Sequence, residues 1–350
     1  MSSLGEAIHT ARLAAGLTQT ELAERIGVSQ AAMTRYEKDL RDPRDDRSGG
    51  VFSRLCAELG VTERFLATAG TPLSATAVDA HMRRRATANV TAWRRLEAQL
   101  NMLRMHAQLM ADEVSMKTAL ELPSFDAFET SPQQAAIQHR MQWRMPIGPV
   151  RHLVRWMEAA GCLIVTADFG TPRVDGLSQW AGGLPVILIN ETMPTDRRRW
   201  TLAHELGHLV LHSQDVPPTA ENQANEFAAE FLTPASVIRP QLRGLTLGRA
   251  RDLKTEWEVS VQAIIMRAAD LGTITVPQKQ SLFKQLSARG WRQHEPGSEM
   301  LPDEVPELLS SLRSQLDTMG LEPQEIATMT GFSSDRHNDL IPPIRRLRAV

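Results

Sequence analysis

Cysteine is nearly missing from this chain: Cys56 and Cys162 are the only two in 350 residues. They stand far apart and match no metal-ligand spacing, which excludes a disulfide scaffold and a cysteine-built zinc site. No uninterrupted apolar run reaches the roughly 18 residues of a membrane span. The opening Met1-Ser2-Ser3-Leu4-Gly5-Glu6 lacks the basic-then-apolar order of a secretion leader. A cytoplasmic protein without membrane contact is the expectation. Positive charge is not in excess either. The net charge is −2, so any nucleic-acid contact must come from a local surface rather than a global field. What is present suffices for a packed core: 42% hydrophobic and 23% charged residues exclude wholesale disorder. The length predicts two or three domains.

The first 70 residues read as a small all-α unit. Leu4, Ile8, Ala11 and Ala15 recur at helical spacing until Gly16 breaks the pattern. Thr18-Gln19-Thr20-Glu21 has the capping-box form, with an acid three residues after the threonine cap. A short helix follows to Ile26, with Leu22, Ala23 and Ile26 inward. Gly27 turns the chain, and Ser29 caps a second helix through Ala32, Met33 and Tyr36. Two short capped helices around a glycine turn suit a helix-turn-helix, although periodicity alone also fits a small bundle with no ligand. Leu17-Thr18-Gln19, Leu22-Ala23, Gly27-Val28-Ser29, Met33, Tyr36-Glu37 and Arg41-x-Pro43 closely resemble the Cro/repressor-type (XRE) helix-turn-helix family over roughly the first 45 residues. That resemblance implies a double-stranded DNA operator as partner, with the second helix in the major groove. Carried over, Gln30, Ala31, Thr34 and Arg35 face the bases and Gln19 touches the backbone. Gln and Arg suit bidentate contacts to adenine and guanine, and Ala31 suits a thymine methyl. Residues 1–70 hold nine Arg or Lys against ten Asp or Glu. The acidic cluster Asp42, Asp45, Asp46 must therefore face away from phosphates, or binding is weak and salt-sensitive.

Residues 71–130 read as a helical connector. Thr71-Pro72-Leu73-Ser74 predicts a hinge, and a long helix is expected from about Val78 to Leu120. Trp93, Leu96, Leu100, Leu103, Ala107, Met110 and Val114 form a seven-residue seam. It offers either a homodimer contact or an internal packing surface, and its shortness together with Ala107 favours the internal one. Arg83, Arg84, Arg85, Arg94 and Arg95 flank it as a solvated face or an aid to DNA binding.

Residues 131–245 carry the chemistry. Cys162-Leu163-Ile164-Val165 and Pro185-Val186-Ile187-Leu188-Ile189 predict buried strands, with Ala181-Gly182-Gly183 as the turn before the second. Then comes Thr201-Leu202-Ala203-His204-Glu205-Leu206-Gly207-His208-Leu209. Histidines four apart share one helix face, where imidazoles bind zinc at about 2.0–2.1 Å. Glu205, beside that face, can take a proton from water and pass one to a leaving amine. Arg197, Arg198 and Arg199 read as surface charge. A second amphipathic helix, from Glu221 to Leu232, brings a third ligand. Glu221 is favoured over Glu226 and Glu230, because Asn225 then falls one turn on and can orient a ligand histidine from behind.

Arg199-Trp200-Thr201 through Leu209, then Glu221-x-x-Ala224-Asn225-x-Phe227-Ala228-Ala229-Glu230-Phe231-Leu232-x-Pro234, resemble the ImmA/IrrE metallopeptidase family. Asp175-Gly176-x-Ser178 and Ile189-Asn190 add to the likeness. The resemblance implies a compact gluzincin-like fold and cleavage of peptide bonds, often in helix-turn-helix repressors. It also implies that fusion to a repressor-like module is a known arrangement. Peptidases of this class often place a tyrosine or histidine to stabilise the oxyanion. The single tyrosine here is Tyr36. His212, read as a surface residue at the helix end, His152, an arginine or the zinc alone would have to serve.

Residues 246–350 read as a helical C-terminal region. Leu253-Lys254-x-x-Trp257-x-Val259-Ser260-x-x-Ala263-Ile264 again suggests two helices meeting at a turn, either packed on the core or as a second DNA contact. Short helices follow over 305–340, and Arg345, Arg346 and Arg348 end the chain. The expected fold is multidomain: an all-α helix-turn-helix head, a helical connector, an α+β zincin-like (HExxH) core and a helical C-terminal region. The expected function is a DNA-binding regulator whose zinc-dependent peptidase cuts a repressor-type protein or itself. The alternatives are a zinc domain that senses without hydrolysis, or a stand-alone peptidase with a vestigial head.

Overall fold

A computed structural model describes residues 3–45, 50–68, 90–114, 116–213, 216–292, 294–338 and 340–342. The predicted hinge at 71–74, Asp46, the arginines at 83–85 and those at 345, 346 and 348 lie outside the described residues.

The head consists of α1 (Leu4–Ala14), α2 (Gln19–Ile26), α3 (Gln30–Glu37), α4 (Val51–Glu58) and α5 (Glu63–Thr68). Thr18 and Glu21 make the reciprocal capping box on α2. Gly27 ends α2 at φ 71°, a left-handed conformation that glycine adopts without strain, and Ser29 caps α3. Ile8, Leu22, Ile26, Met33, Leu55 and Phe65 close the head's core.

Helix α6 (Val90–Glu113) stops seven residues short of the predicted Leu120. Past it, the amides of Ala119 and Leu120 donate to Ala159 O at 2.9 and 3.0 Å, so this stretch is tied to another element instead of its own helix. The seam on α6 lies inside the chain. Leu96, Leu100, Leu103, Ala107 and Met110 pack on the sheet, whereas Met105 and Leu109 join the head's core. The buried part of the seam is therefore covered by this chain.

The sheet has β1 (Leu163–Ala167), β2 (Gly176–Ala181) and β3 (Leu184–Asn190) in the order β1-β3-β2. β1 runs parallel to β3 and β2 antiparallel to it, with Leu177 opposite Leu188. The sequence reading missed β2, because Gly-Leu-Ser-Gln-Trp-Ala contains no β-branched residue. Gly182-Gly183 turns out to be its hairpin turn. The sheet separates two cores. Ile164, Ile187 and Ile189 pack on one side with α7 (Pro132–Gln142), α8 (Leu153–Ala159), α9 (Thr195–Leu211) and α10 (Ala220–Leu232).

After the short α11 (Ala235–Ile238), α12 (Leu247–Trp257) and α13 (Val261–Asp270) add Leu253, Trp257, Val259, Val261 and Ile264 to that same core. Of the two roles open to this helix pair, it takes the packing one. α14 (Val276–Ala288) follows, and α15 (Leu308–Thr318) and α16 (Pro323–Met329) return to the other face of the sheet beside α6. There Phe332 forms a bridge with Val61, and Gly331 O accepts from Thr62 N at 2.9 Å. The C-terminal region thus closes onto the head. No described helix is long and apolar enough to cross a membrane.

Candidate metal centre and DNA-facing helix

Helix α9 is anchored at its start by buried charge. Arg197 is exposed and pairs with Asp175 at 2.7 Å, and Arg198 pairs with Asp303 at 3.1 Å. Arg199 departs from the expected surface role: it is 2% exposed and bonds Glu304, Glu258 and Val150 O. Burial pulls its pKa down to about 10, and Glu258 opposes this, so it stays charged at neutral pH. Asp196, three residues earlier, pairs with buried Lys254, which also donates to Glu295 at 2.9 Å and Ser298 at 2.7 Å. Acidic residues 295–304 therefore strap the first turns of α9 in place.

From that fixed start, α9 places His204 and His208 one turn apart, both buried. Their Nε2 atoms lie 3.0 Å apart, and each is 3.7 Å from a carboxylate oxygen of Glu221 on α10. Among the described residues this is the one cluster of three potential ligands, its donor atoms all within 4.8 Å of one another. Donors held about 2.05 Å from one tetrahedral ion stand roughly 3.3 Å apart, so the set fits zinc in both chemistry and spacing. Close helix contact makes this possible. A Cβ on Gly207 would stand 3.2 Å from Ala224 Cα and 3.1 Å from Phe227, tighter than side chains normally pack. The rivals to Glu221 lie elsewhere. Glu226 accepts from Gln133 at 3.0 Å, and buried Glu230 pairs with Arg267.

Each imidazole is also held from behind. His204 Nδ1 meets Asn225 Oδ1 at 3.1 Å. His208 Nδ1 meets His212 Nδ1 at 2.8 Å, and His212 Nε2 meets Gln223 Oε1 at 2.9 Å. His212 is 2% exposed, so the surface reading of it is corrected. It lies at the helix end with Gln223 bonded to its Nε2. The sequence signal for it was the spacing of four, repeated once more after His208. Glu205, 2% exposed, accepts from Ser178 Oγ on β2 at 2.7 Å. β2 reaches that close because Gly176 has no side chain; a Cβ there would stand 2.7 Å from Thr201 Cγ2. A groove of about 1300 Å³ reaches Asn225, behind His204, and is lined also by Trp200, Thr201, Ala229 and Met266 among others; His204, Glu205, His208 and Glu221 do not line it. Tyr36 is buried in the head, and His152 is exposed at the start of α8.

In the head, α3 exposes Gln30, Ala31 and Arg35, with Thr34 and Gln19 half-buried. Glu37 ties three helices together, accepting from Arg12 on α1 and from Gln19 on α2 at 2.7 Å, with His9 at 2.9 Å. Burial alone would raise its pKa, but the hydrogen bonds from His9, Arg12 and Gln19 outweigh it and hold the carboxyl at about 2. Because Gln19 gives its amide nitrogen to Glu37, its Oε1 turns toward Gln30 Nε2 at 3.0 Å and Thr34 Oγ1 at 3.1 Å. Gln19, Gln30 and Thr34, three of the expected DNA-facing residues, thus form one network. Of the acidic cluster, Asp42 is held below its usual pKa by Arg44.

A capped helix pair and a helix-borne His-His-Glu cluster on a small mixed sheet define a DNA-binding head joined to a metallopeptidase-type domain. Family models bear this out. Residues 8–66 match the model described as Helix-turn-helix, and residues 157–269 match a peptidase-family model described as IrrE N-terminal-like domain. No curated protein matches the chain. The chain is a fusion of an XRE-type helix-turn-helix unit and an IrrE/ImmA-like domain.

Proposed function

We propose that the chain is a DNA-binding transcriptional regulator whose second domain is a zinc-dependent endopeptidase, acting in the cytoplasm on a repressor-type protein or on its own chain. The observation that carries the reading is the meeting of His204 Nε2, His208 Nε2 and the Glu221 carboxylate within 4.8 Å. These three residues would hold the ion, with Asn225 orienting His204. When bound, zinc supplies the Lewis acidity that polarises a peptide carbonyl and acidifies water. Glu205 Oε takes up the proton of the attacking water and returns it to the leaving amine. Ser178 keeps that carboxylate in one rotamer. In the head, Gln30, Ala31, Thr34 and Arg35 would read base edges while Gln19 touches the backbone.

A second reading, zinc binding without hydrolysis, draws on the placement of Tyr36. The chain's one tyrosine is buried in the head's core, so no phenol stands by to stabilise an oxyanion.

The deciding experiment combines metal analysis with Glu205→Gln. Wild type should carry one zinc per chain, and the His204→Ala/His208→Ala double variant none. Peptide fragments that appear with zinc-loaded wild type and vanish with a folded, zinc-loaded Glu205→Gln support the enzyme. Zinc binding with identical fragment patterns in both proteins supports the sensor. Stoichiometric zinc in the double variant refutes the ligand set. Selection of duplexes from a random pool tests the head, and failure to enrich any sequence at moderate salt leaves it vestigial.

A further inference from the structure

We infer that His212 and Gln223 are positioning residues that lock His208 in the tautomer a metal requires, through a relay anchored on the backbone carbonyl of Ala127. The inference rests on the proposed metal role of His208 and says what keeps that ligand competent.

The direction of the relay follows from one group that can only accept. Gln223 Nε2 stands 3.3 Å from Ala127 O, and a carbonyl has no proton to give. The amide therefore turns its NH₂ to Ala127 and its Oε1 to His212 Nε2, 2.9 Å away. That oxygen also only accepts, so His212 carries its proton on Nε2. Its Nδ1 is left with a lone pair facing His208 Nδ1 at 2.8 Å. His208 must then carry its proton on Nδ1, which leaves the Nε2 lone pair pointing toward His204 and Glu221.

Metal-binding histidines usually give their second N–H to a carboxylate, a carbonyl or water. Here the acceptor is a neutral imidazole, which accepts only in one of its own two tautomers. Gln223 and Ala127 supply that choice. The other ligand, His204, is served by Asn225, whose oxygen accepts without any further partner having to be set. Ala127 comes from the connector, outside the residues 157–269 that match the IrrE-like model. The segment carrying it is held against the end of α9, where Phe125 N donates to Val210 O at 2.8 Å and Ser124 meets Ser213 at 3.2 Å.

The test is zinc affinity of the metal-free full chain, measured by competition with a chromogenic chelator, alongside circular dichroism to verify folding. His212→Phe removes the acceptor, and Gln223→Met removes the group that sets it. Each is expected to weaken zinc binding about 10–100-fold. Because both act through His208, the double variant should lose no more than the worse single one, whereas His212→Phe with Asn225→Ala should multiply the losses. Gln223→Glu, which still accepts from His212 Nε2, should recover most of the affinity. In a long-range ¹H–¹⁵N spectrum of the zinc-loaded wild type, His212 should be the Nε2–H tautomer. An Nδ1–H tautomer, or unchanged affinity in Gln223→Met, overturns the inference; Gln223 is only half-buried, so this variant decides the matter if His212→Phe does not fold. Absence of zinc binding in wild type would instead sink the proposed metal role itself.

Discussion

The imidazole of His106 lies face to face with the ring of Phe332, their centroids 3.7 Å apart and their planes 9° from parallel. The other face of His106 meets Phe65 at 4.1 Å, and its Nδ1 reaches Thr330 O at 2.7 Å. One ring from the head, one from α6 and one from the C-terminal region therefore form a single stack. Three stretches distant in sequence are joined at this point.

Phe332→Ala should open that joint. Loss of a buried phenylalanine costs about 3–5 kcal/mol where the site cannot collapse. Hydrogen exchange is expected to speed up together in α5 and α16 and to stay unchanged in α9. Equal acceleration in all three would mean that the head is not held mainly here.

Acid should weaken the fold through two neutral histidines. Burial pulls His106 and His139 down to about 3. The unfolded chain binds a proton below about 6.5 and the folded one does not, so stability is greatest above that pH and falls as pH drops toward 3, by about 1.4 kcal/mol per unit for each histidine. Neither nitrogen of His139 has a hydrogen-bond partner among the described residues, and Trp143, Phe227 and Phe231 surround its ring. His139→Phe should raise the urea midpoint at pH 7 and reduce its drop between pH 7 and pH 5. A larger drop in the variant would contradict this.

Glu37→Gln should loosen the head. The carboxyl sits at about 2 against 4.5 when free, so its contribution is complete above pH 4.5 and is lost as pH falls toward 2. At pH 7 the substitution is expected to cost about 2–3 kcal/mol. Melting curves of the two proteins should converge near pH 2, and a constant gap across that window would show that the pairing with Arg12 contributes nothing.

Ser178→Ala removes the hydrogen bond to Glu205 without touching a proposed metal ligand. One such bond to a charged group is worth about 1.5 kcal/mol, so cleavage should slow about ten-fold while zinc content stays at the wild-type level. A fall in zinc content would instead place Ser178 in the support of the metal helix.

What was legible in the sequence was local. Thr18, Glu21, Gly27 and Ser29 act on their own helix ends, and His204 and His208 meet through the helix repeat alone. Glu221 needed a second helix; the spacing to Asn225 points to it, and the fold brings its carboxylate within 3.7 Å of both imidazoles. The misses share a different cause. Arg199 reads as one of three surface arginines until residues 258 and 304 cover it. His212 reads as exposed until Gln223 folds over it. β2 has no strand-favouring composition and exists because β3 and α9 hold it. For Arg199 and His212 burial is decided by chain more than ten residues away, which no short window contains.

The bridge between Val61 and Phe332 has a consequence for biosynthesis. The ribosome makes the head first and the ring that secures it some 270 residues later. Every new copy thus spends a translation interval in which the head lacks this contact. Prematurely terminated products would keep that undocked head for good. Such products would lack the contact that ties the head to the rest of the protein.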